Sequence, residues 1–300
     1  MEEEIDLYFF RCYDEDKYDQ RRVKMKKILA SLMMVGLIFC LGGCNVPLMK
    51  QKTEKTKATK VIQADKVEGT MKGMKLKVGV SNDMAPFSYY DSEQKKITGF
   101  DIDLLDKLSE YLGFEYELYP MNMKKLEQKI KNKELDLAIA GISITDERQR
   151  EFSFTDTYYE TYLQIVVRKD SQITDRKEIT EKKVGVVEGT SSAQYAEDYL
   201  SEDNKITYYK NITKVWNDLE KGTIDATIYD TTGIQNYMQE HADNTNLSVL
   251  NEQLNSEESN YGIMFVKGYK YLDQFNVALQ VLNNDGTYQK LKEQWIKTKE

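Results

Sequence analysis

The sequence predicts two α/β lobes joined by a pair of crossing strands, with a ligand cleft between them. Three observations predict it. Short apolar strands alternate with helical patterns, the signature of parallel α/β sheets. The second half of the chain repeats the order of the first, and one apolar run stands between the halves while another follows the second.

The first half opens on Lys75-Leu-Lys-Val-Gly-Val80, a short β-type run. A helix follows, with Ile102, Leu105, Leu108 and Leu112 on one face, and then a strand over Leu135-Asp136-Leu-Ala-Ile-Ala140. The second half repeats this: Lys182-Lys-Val-Gly-Val-Val187, a helix with Tyr195, Tyr199 and Leu200 on one face together with Ala193 and Ala196, and the strand Ile224-Asp225-Ala-Thr-Ile-Tyr229. Tyr162–Arg168 suits a first crossing strand and Tyr261–Val266 a second. Amphipathic helices around Tyr269–Leu282 and Tyr288–Lys297 then return to the first lobe. The expected division is residues 75–164 and 258–300 for lobe 1 and residues 165–257 for lobe 2. Two connections form a hinge that permits closure, and ligands of parallel sheets bind beyond the carboxyl ends of the strands.

Residues 1–44 read as an N-terminal extension and signal peptide. Arg21, Arg22, Lys24, Lys26 and Lys27 form a basic region before the apolar run Ile28 to Cys40, which is shorter than the roughly 18 residues of a membrane span. Residues 1–24 are acidic and unlike such a region, so Met25 is the expected true start. Residues 45–74 are polar and lysine-rich and read as a flexible linker. The three cysteines are Cys12, Cys40 and Cys44, and the one histidine is His241. The folded part therefore has no disulfide, thiolate site, His-based triad or Cys/His zinc site. A net charge of −8 with scattered basic residues argues against nucleic-acid binding. No metal and no cofactor are expected.

The stretch Gly141-Ile-Ser143-Ile-Thr145-Asp-Glu-Arg148 follows the Leu135 strand. A bare glycine, a hydroxyl and an arginine fork at a strand's carboxyl end suit a carboxylate ligand. The same letters also fit a helix start, with Thr145 as N-cap and Arg148 on the surface. Glu188-Gly189-Thr190-Ser191 stands at the matching place in the second half, where the free N–H groups of a helix start favour an anion. Asp230 ends the repeated strand and is either an N-cap before Thr231-Thr232-Gly233 or a partner for an ammonium. Asp101, after Gly99-Phe100, reads as a helix N-cap.

From Lys75 onward the chain resembles the extracellular solute-binding proteins, family 3, of polar amino-acid ABC transporters, in particular the glutamine- and lysine/arginine/ornithine-binding proteins. The carrying strings are Ala85-Pro-Phe87, Gly99-Phe-Asp-Ile-Asp-Leu104, Leu135–Arg148, Phe152-Ser-Phe-Thr-Asp-Thr-Tyr-Tyr159, Val186-Val-Glu-Gly-Thr190, Ile224–Asp230 and Asp285-Gly-Thr-Tyr288. The resemblance implies the two-lobed periplasmic-binding-protein type II fold. It implies that Arg148 pairs with the ligand α-carboxylate, with Ser143, Thr190 and Ser191 donating to the same group. The Gly141 carbonyl and Asp230 would take the α-ammonium, and Ala140 is counted with the ligand-binding set. Met84 and Met123 stand where relatives place aromatic rings around the ligand side chain. Ser81 stands where basic-ligand binders place an acid, with Asp83 two residues on. Val187 and Tyr229 replace the lysine and histidine of glutamine binders. A neutral ligand is the expectation, apolar or sulfur-bearing. Leu41-Gly42-Gly43-Cys44 resembles the lipobox of bacterial lipoproteins, which implies lipidation of Cys44.

The expected function is capture of an amino acid by lobe closure and its delivery to a separate permease and ATPase. The protein is expected as a lipid-anchored monomer on the outer face of the cell membrane, and not as an enzyme. Two alternatives remain open: a cyclohexadienyl or arogenate dehydratase-like enzyme with Glu188 as its acid, and a sensing lobe that docks a signalling partner.

Overall fold

The computed structural model describes residues 66–296; the signal segment, Cys44 and most of the expected linker lie outside them. The first half comprises strands β1 (Lys75–Val80), β2 (Asp83–Met84), β3 (Ser88–Asp91) and β4 (Lys96–Thr98), helix α1 (Phe100–Leu112), β5 (Glu115–Pro120), α2 (Met123–Lys131), β6 (Leu137–Ala138), α3 (Asp146–Glu151) and β7 (Phe152–Phe154). The second comprises β8 (Leu163–Arg168), β9 (Lys183–Val187), α4 (Ser191–Leu200), β10 (Lys205–Tyr209), α5 (Ile212–Glu220), β11 (Ala226–Asp230), α6 (Thr231–Glu240) and β12 (Leu247–Val249). Then come β13 (Met264–Val266), α7 (Leu272–Asn284) and α8 (Thr287–Trp295).

Two five-stranded sheets share one plan. Their orders are β5-β1-β6-β13-β7 and β10-β9-β11-β8-β12. In each, the first three strands are parallel and the fourth runs antiparallel to the third. The repeated Val-Gly-Val has a packing reason. A Cβ on Gly79 would meet Leu126 and Leu135 at 2.5 and 2.7 Å, and one on Gly185 would meet Ile224 at 2.4 Å. The repeated aspartates have a hydrogen-bonding reason. Asp136 accepts from the Lys77 N–H at 2.7 Å and Asp225 from the Lys183 N–H at 2.8 Å, each clasping the start of one parallel strand to the next.

Helix α1 buries Leu104, Leu105, Leu108 and Leu112 completely, each burial contributing roughly 1.5–3 kcal/mol relative to exposure. Phe275 and Ala278 of α7 join the same core, so the helices after β13 do pack on the first sheet's lobe. A separate core beneath the second sheet gathers Ile165, Val184, Val186, Ala196 and Ile228.

Three expectations need correction. Only the first residues of Tyr162–Arg168 and Tyr261–Val266 lie at the crossings: the rest form β8 and β13, the antiparallel fourth strands of their sheets. The chain crosses as it enters them, where Tyr159 bridges Tyr261 and Leu163 bridges Leu254. The linker expected to reach residue 74 ends earlier. Val67 and Met71 are buried in the first core, and the Gly69 and Met71 N–H groups donate to the carbonyls of Tyr111 and Leu112 at the end of α1. On α4 the apolar face omits Tyr199, which is 67% exposed and leans on Tyr195.

Candidate functional site

A cavity lies where the carboxyl ends of β6, β9 and β11 converge. Met84, Met123, Gly141, Ser143 and Arg148 line it from the first half, Thr190, Ser191, Ser192, Tyr229 and Asp230 from the second, and Leu163 and Tyr261 from the crossings. Its volume is about 20 Å³, room for roughly one water molecule. Anything larger than a water molecule therefore enters only if the two halves part.

Arg148 is not a surface charge; it is 8% exposed. Thr145 does cap α3, accepting from the Arg148 N–H at 3.2 Å, so the helix start is real and carries the arginine inward. Nε donates to Glu127 Oε1 at 2.8 Å, Nη1 to the Ser143 carbonyl at 2.9 Å and Nη2 to the Gly189 carbonyl at 2.8 Å. A guanidinium has five N–H donors. These bonds leave one N–H on each terminal nitrogen, the pair that a carboxylate takes in parallel. Facing it, the Ser143 and Ser191 hydroxyls meet at 2.9 Å across the cleft. The Thr190 hydroxyl donates to the Val187 carbonyl at 2.7 Å and accepts from the Ala193 N–H at 3.2 Å as the cap of α4. What Thr190 offers an anion is thus backbone at the helix start rather than its hydroxyl.

Asp230 is 4% exposed. Oδ1 accepts from the Gly233 N–H at 2.8 Å as the cap of α6, whereas Oδ2 is buried without a partner. Burial pushes its carboxyl up to about 6, against the pull of the Gly233 N–H and the nearby Tyr261 hydroxyl. That hydroxyl is itself buried and partnerless: it lies close enough to favour the ionised carboxylate, but no hydrogen bond of ordinary length joins the two. Met84 and Met123 both line the cavity, and the Met84 sulfur accepts from the Tyr229 hydroxyl at 2.9 Å.

Other expected members fall elsewhere. Ala140 is fully buried in the core behind the cavity, with Leu126 and Ile142. Ser81 does not line the cavity; its hydroxyl donates to Asp83 at 3.0 Å. Asp83 also accepts from the Ile212 N–H at the start of α5, and burial raises its carboxyl's pKa. Glu188 lies outside the cavity and faces Lys124 at 3.8 Å.

The sequence reading missed two residues. Asp101 does not cap α1, whose N-cap is Gly99. It is fully buried, accepting from the Gly141 N–H at 2.8 Å and the Tyr158 hydroxyl at 2.9 Å, and burial pushes it up to about 7. It thereby fixes the Gly141 peptide, whose φ of +57° glycine adopts without strain. Tyr261 is the second; its place in an apolar run hid its hydroxyl. Among the described residues, no cluster of His, Cys, Asp and Glu could hold a metal ion.

Comparison with known proteins matches residues 76–298 to the model of the bacterial extracellular solute-binding proteins, family 3. The arginine-binding extracellular protein ArtP of Bacillus subtilis is 30% identical over 74% of this chain and 86% of its own length. The L-cystine-binding protein TcyJ of Escherichia coli is 30% identical over 74% of this chain and 82% of its own. Among solved structures, an ancestral arginine-binding protein bound to arginine superposes with a TM-score of 0.69 at 32% identity, covering 74% of this chain and 98% of that one. A fold of two repeated α/β halves with a site at the converging strand ends agrees with these matches, and the chain belongs to the bacterial extracellular solute-binding proteins, family 3.

Proposed function

We propose that this protein captures a free amino acid by closure of its two lobes and hands it to the permease of an ABC importer, with no catalytic step of its own. The observation that carries this reading is the pairing of opposite chemistries across one small cavity. Arg148 presents two spare donors at one side and Asp230 an unpartnered carboxylate oxygen at the other. An α-carboxylate and an α-ammonium are the groups that answer them. Ser143 and Ser191 assist the carboxylate, and the Gly141 carbonyl assists the ammonium. Contacts from both halves make affinity depend on closure, so ligand binding shifts the open–closed balance.

A neutral ligand side chain fits best. It would lie against Met84 and Met123, with Leu163 and Tyr229 beside them, and no acid other than Asp230 lines the cavity. The arginine and cystine named for the relatives are the first competitors to test. The dehydratase reading loses its acid, because Glu188 turns to Lys124 outside the cavity. We further propose a signal peptide, lipid attachment at Cys44 and residence as a monomer on the outer face of the membrane. Lipid-precursor labelling that persists in Cys44→Ser would remove the anchor.

The decisive variant is Arg148→Ala. Losing a charge-assisted bidentate pair in a closed cleft costs roughly 3–5 kcal/mol, so calorimetry should find binding abolished in a protein that still folds. Binding retained within a factor of about three would overturn the site, since even one ordinary charged hydrogen bond is worth more.

A further inference from the structure

Two residues that line the cavity each carry a buried oxygen without a partner, Asp230 Oδ2 and the Tyr261 hydroxyl. Such orphans are rare in folded proteins, because each forfeits the hydrogen bonds it makes in water. Two on the lining of one cavity of about 20 Å³ point to a single group that serves both when the lobes close on it. Tyr261 is 1% exposed and rigidly held. Its N–H donates to the Tyr159 carbonyl at 2.8 Å, and its carbonyl accepts from the Tyr158 N–H at 2.9 Å. Its ring stacks on Tyr159 with centroids 5.9 Å apart and meets the edge of Phe87 at 5.0 Å. The hydroxyl is therefore aimed by packing rather than by a hydrogen bond of its own.

We propose that Tyr261 determines specificity at this site: its hydroxyl and Asp230 Oδ2 together accept two N–H groups of a primary α-ammonium, so that the site takes primary amino acids and discriminates against N-methylated and deaminated ones. This rests on the amino-acid reading above. A primary ammonium has three N–H donors in a tripod. Asp230 Oδ2, the Tyr261 oxygen and the Gly141 carbonyl are three acceptors drawn from β11, a crossing segment and the loop after β6. The Tyr261 proton stays on its oxygen, because burial first and the Asp230 charge second raise its pKa well above that of a free phenol. That O–H can donate to Asp230 while a lone pair of the same oxygen accepts from the ammonium, which closes a three-membered network. N-methylation removes one donor and puts a methyl group among buried oxygens. Deamination strands both oxygens again.

Tyr261→Phe keeps the ring and deletes only an oxygen without a protein partner, so the unliganded melting temperature should be unchanged or raised. The test starts with thermal shifts of the wild type against the twenty L-amino acids, L-cystine and L-ornithine. The strongest hit and its N-methyl derivative then go to calorimetry with wild type and Tyr261→Phe. Tyr261→Phe should weaken the parent ligand about tenfold or more, as for a hydrogen bond to a charged group. It should also narrow the wild type's preference for the parent over the N-methyl form. Equal parent affinity in Tyr261→Phe, or a wild type that binds both forms alike, overturns the role of Tyr261 alone. A wild type that no amino acid shifts overturns the capture reading itself.

Discussion

Asp230 divides its carboxylate: one oxygen caps α6, and the other is buried without a partner on a residue that lines the cavity. The sequence offered these as rival readings, and at atomic scale both describe the residue. A pH dependence follows. Its pKa is raised from 3.8 to about 6 by burial, so the folded state holds its proton longer than the unfolded chain. The sign is that fold stability falls as pH rises from about 4 to about 6 and is level above that. Ligand affinity runs the opposite way, because only the ionised form pairs with an ammonium. Calorimetry should show affinity about tenfold weaker at pH 5 than at pH 7.5, with Asp230→Asn flat across that range. A wild-type profile as flat as the variant's would remove Asp230 from the ammonium site. At this scale the sequence made Gly141, Ser143 and Arg148 legible because they follow the strand at Leu135–Ala140, whereas Met84 and Met123 were legible only through the family resemblance. It hid Asp101, whose partners Gly141 and Tyr158 lie 40 and 57 residues away, and it did not show that Ala140 belongs to the core and that Ser81 bonds Asp83 outside the cavity lining.

The two halves repeat their geometry as well as their letters. Gly79 and Gly185 make room for the side chains that follow α2 and α5, Leu135 and Ile224. A methyl group at Gly185 would meet Ile224 Cδ1 at 2.4 Å and Tyr209 Cε2 at 3.0 Å. Gly185→Ala should therefore destabilise the protein by about 1–3 kcal/mol, as overpacking does. Adding Ile224→Val, which deletes the methyl in the clash, should recover part of the loss in denaturant unfolding. A double variant no better than the single one would place the strain elsewhere. Sequence pattern made β1, α1, β6, β9, α4 and β11 of this repeat readable, and left β5, α2, β10 and α5 unnamed. The roles of Tyr162–Arg168 and Tyr261–Val266 were not, since a continuous apolar run suits a central strand and a crossing strand equally.

Across the whole molecule, the closed arrangement is held by many weak links rather than one. Ser143 meets Ser191, Arg148 meets the Gly189 carbonyl, Asp83 meets the Ile212 N–H and Tyr159 meets Thr232 across the cleft. The sheet order has a further consequence, one of time. Strand β13, residues 264–266, lies between β6 and β7 in the first sheet, whereas the second sheet draws only on residues 163–249. The half that begins the chain must therefore wait for a late segment, while the later half can complete itself from contiguous sequence. Non-local pairing of this kind is slow to form. Pulsed hydrogen exchange during refolding should protect the amides of β9 and β11 before those of β6 and β7. The reverse order would show that the first sheet assembles without β13. A chain delivered amino terminus first would thus keep its first lobe unfinished until near the end, which defers the assembly of the cleft to the last stage of delivery.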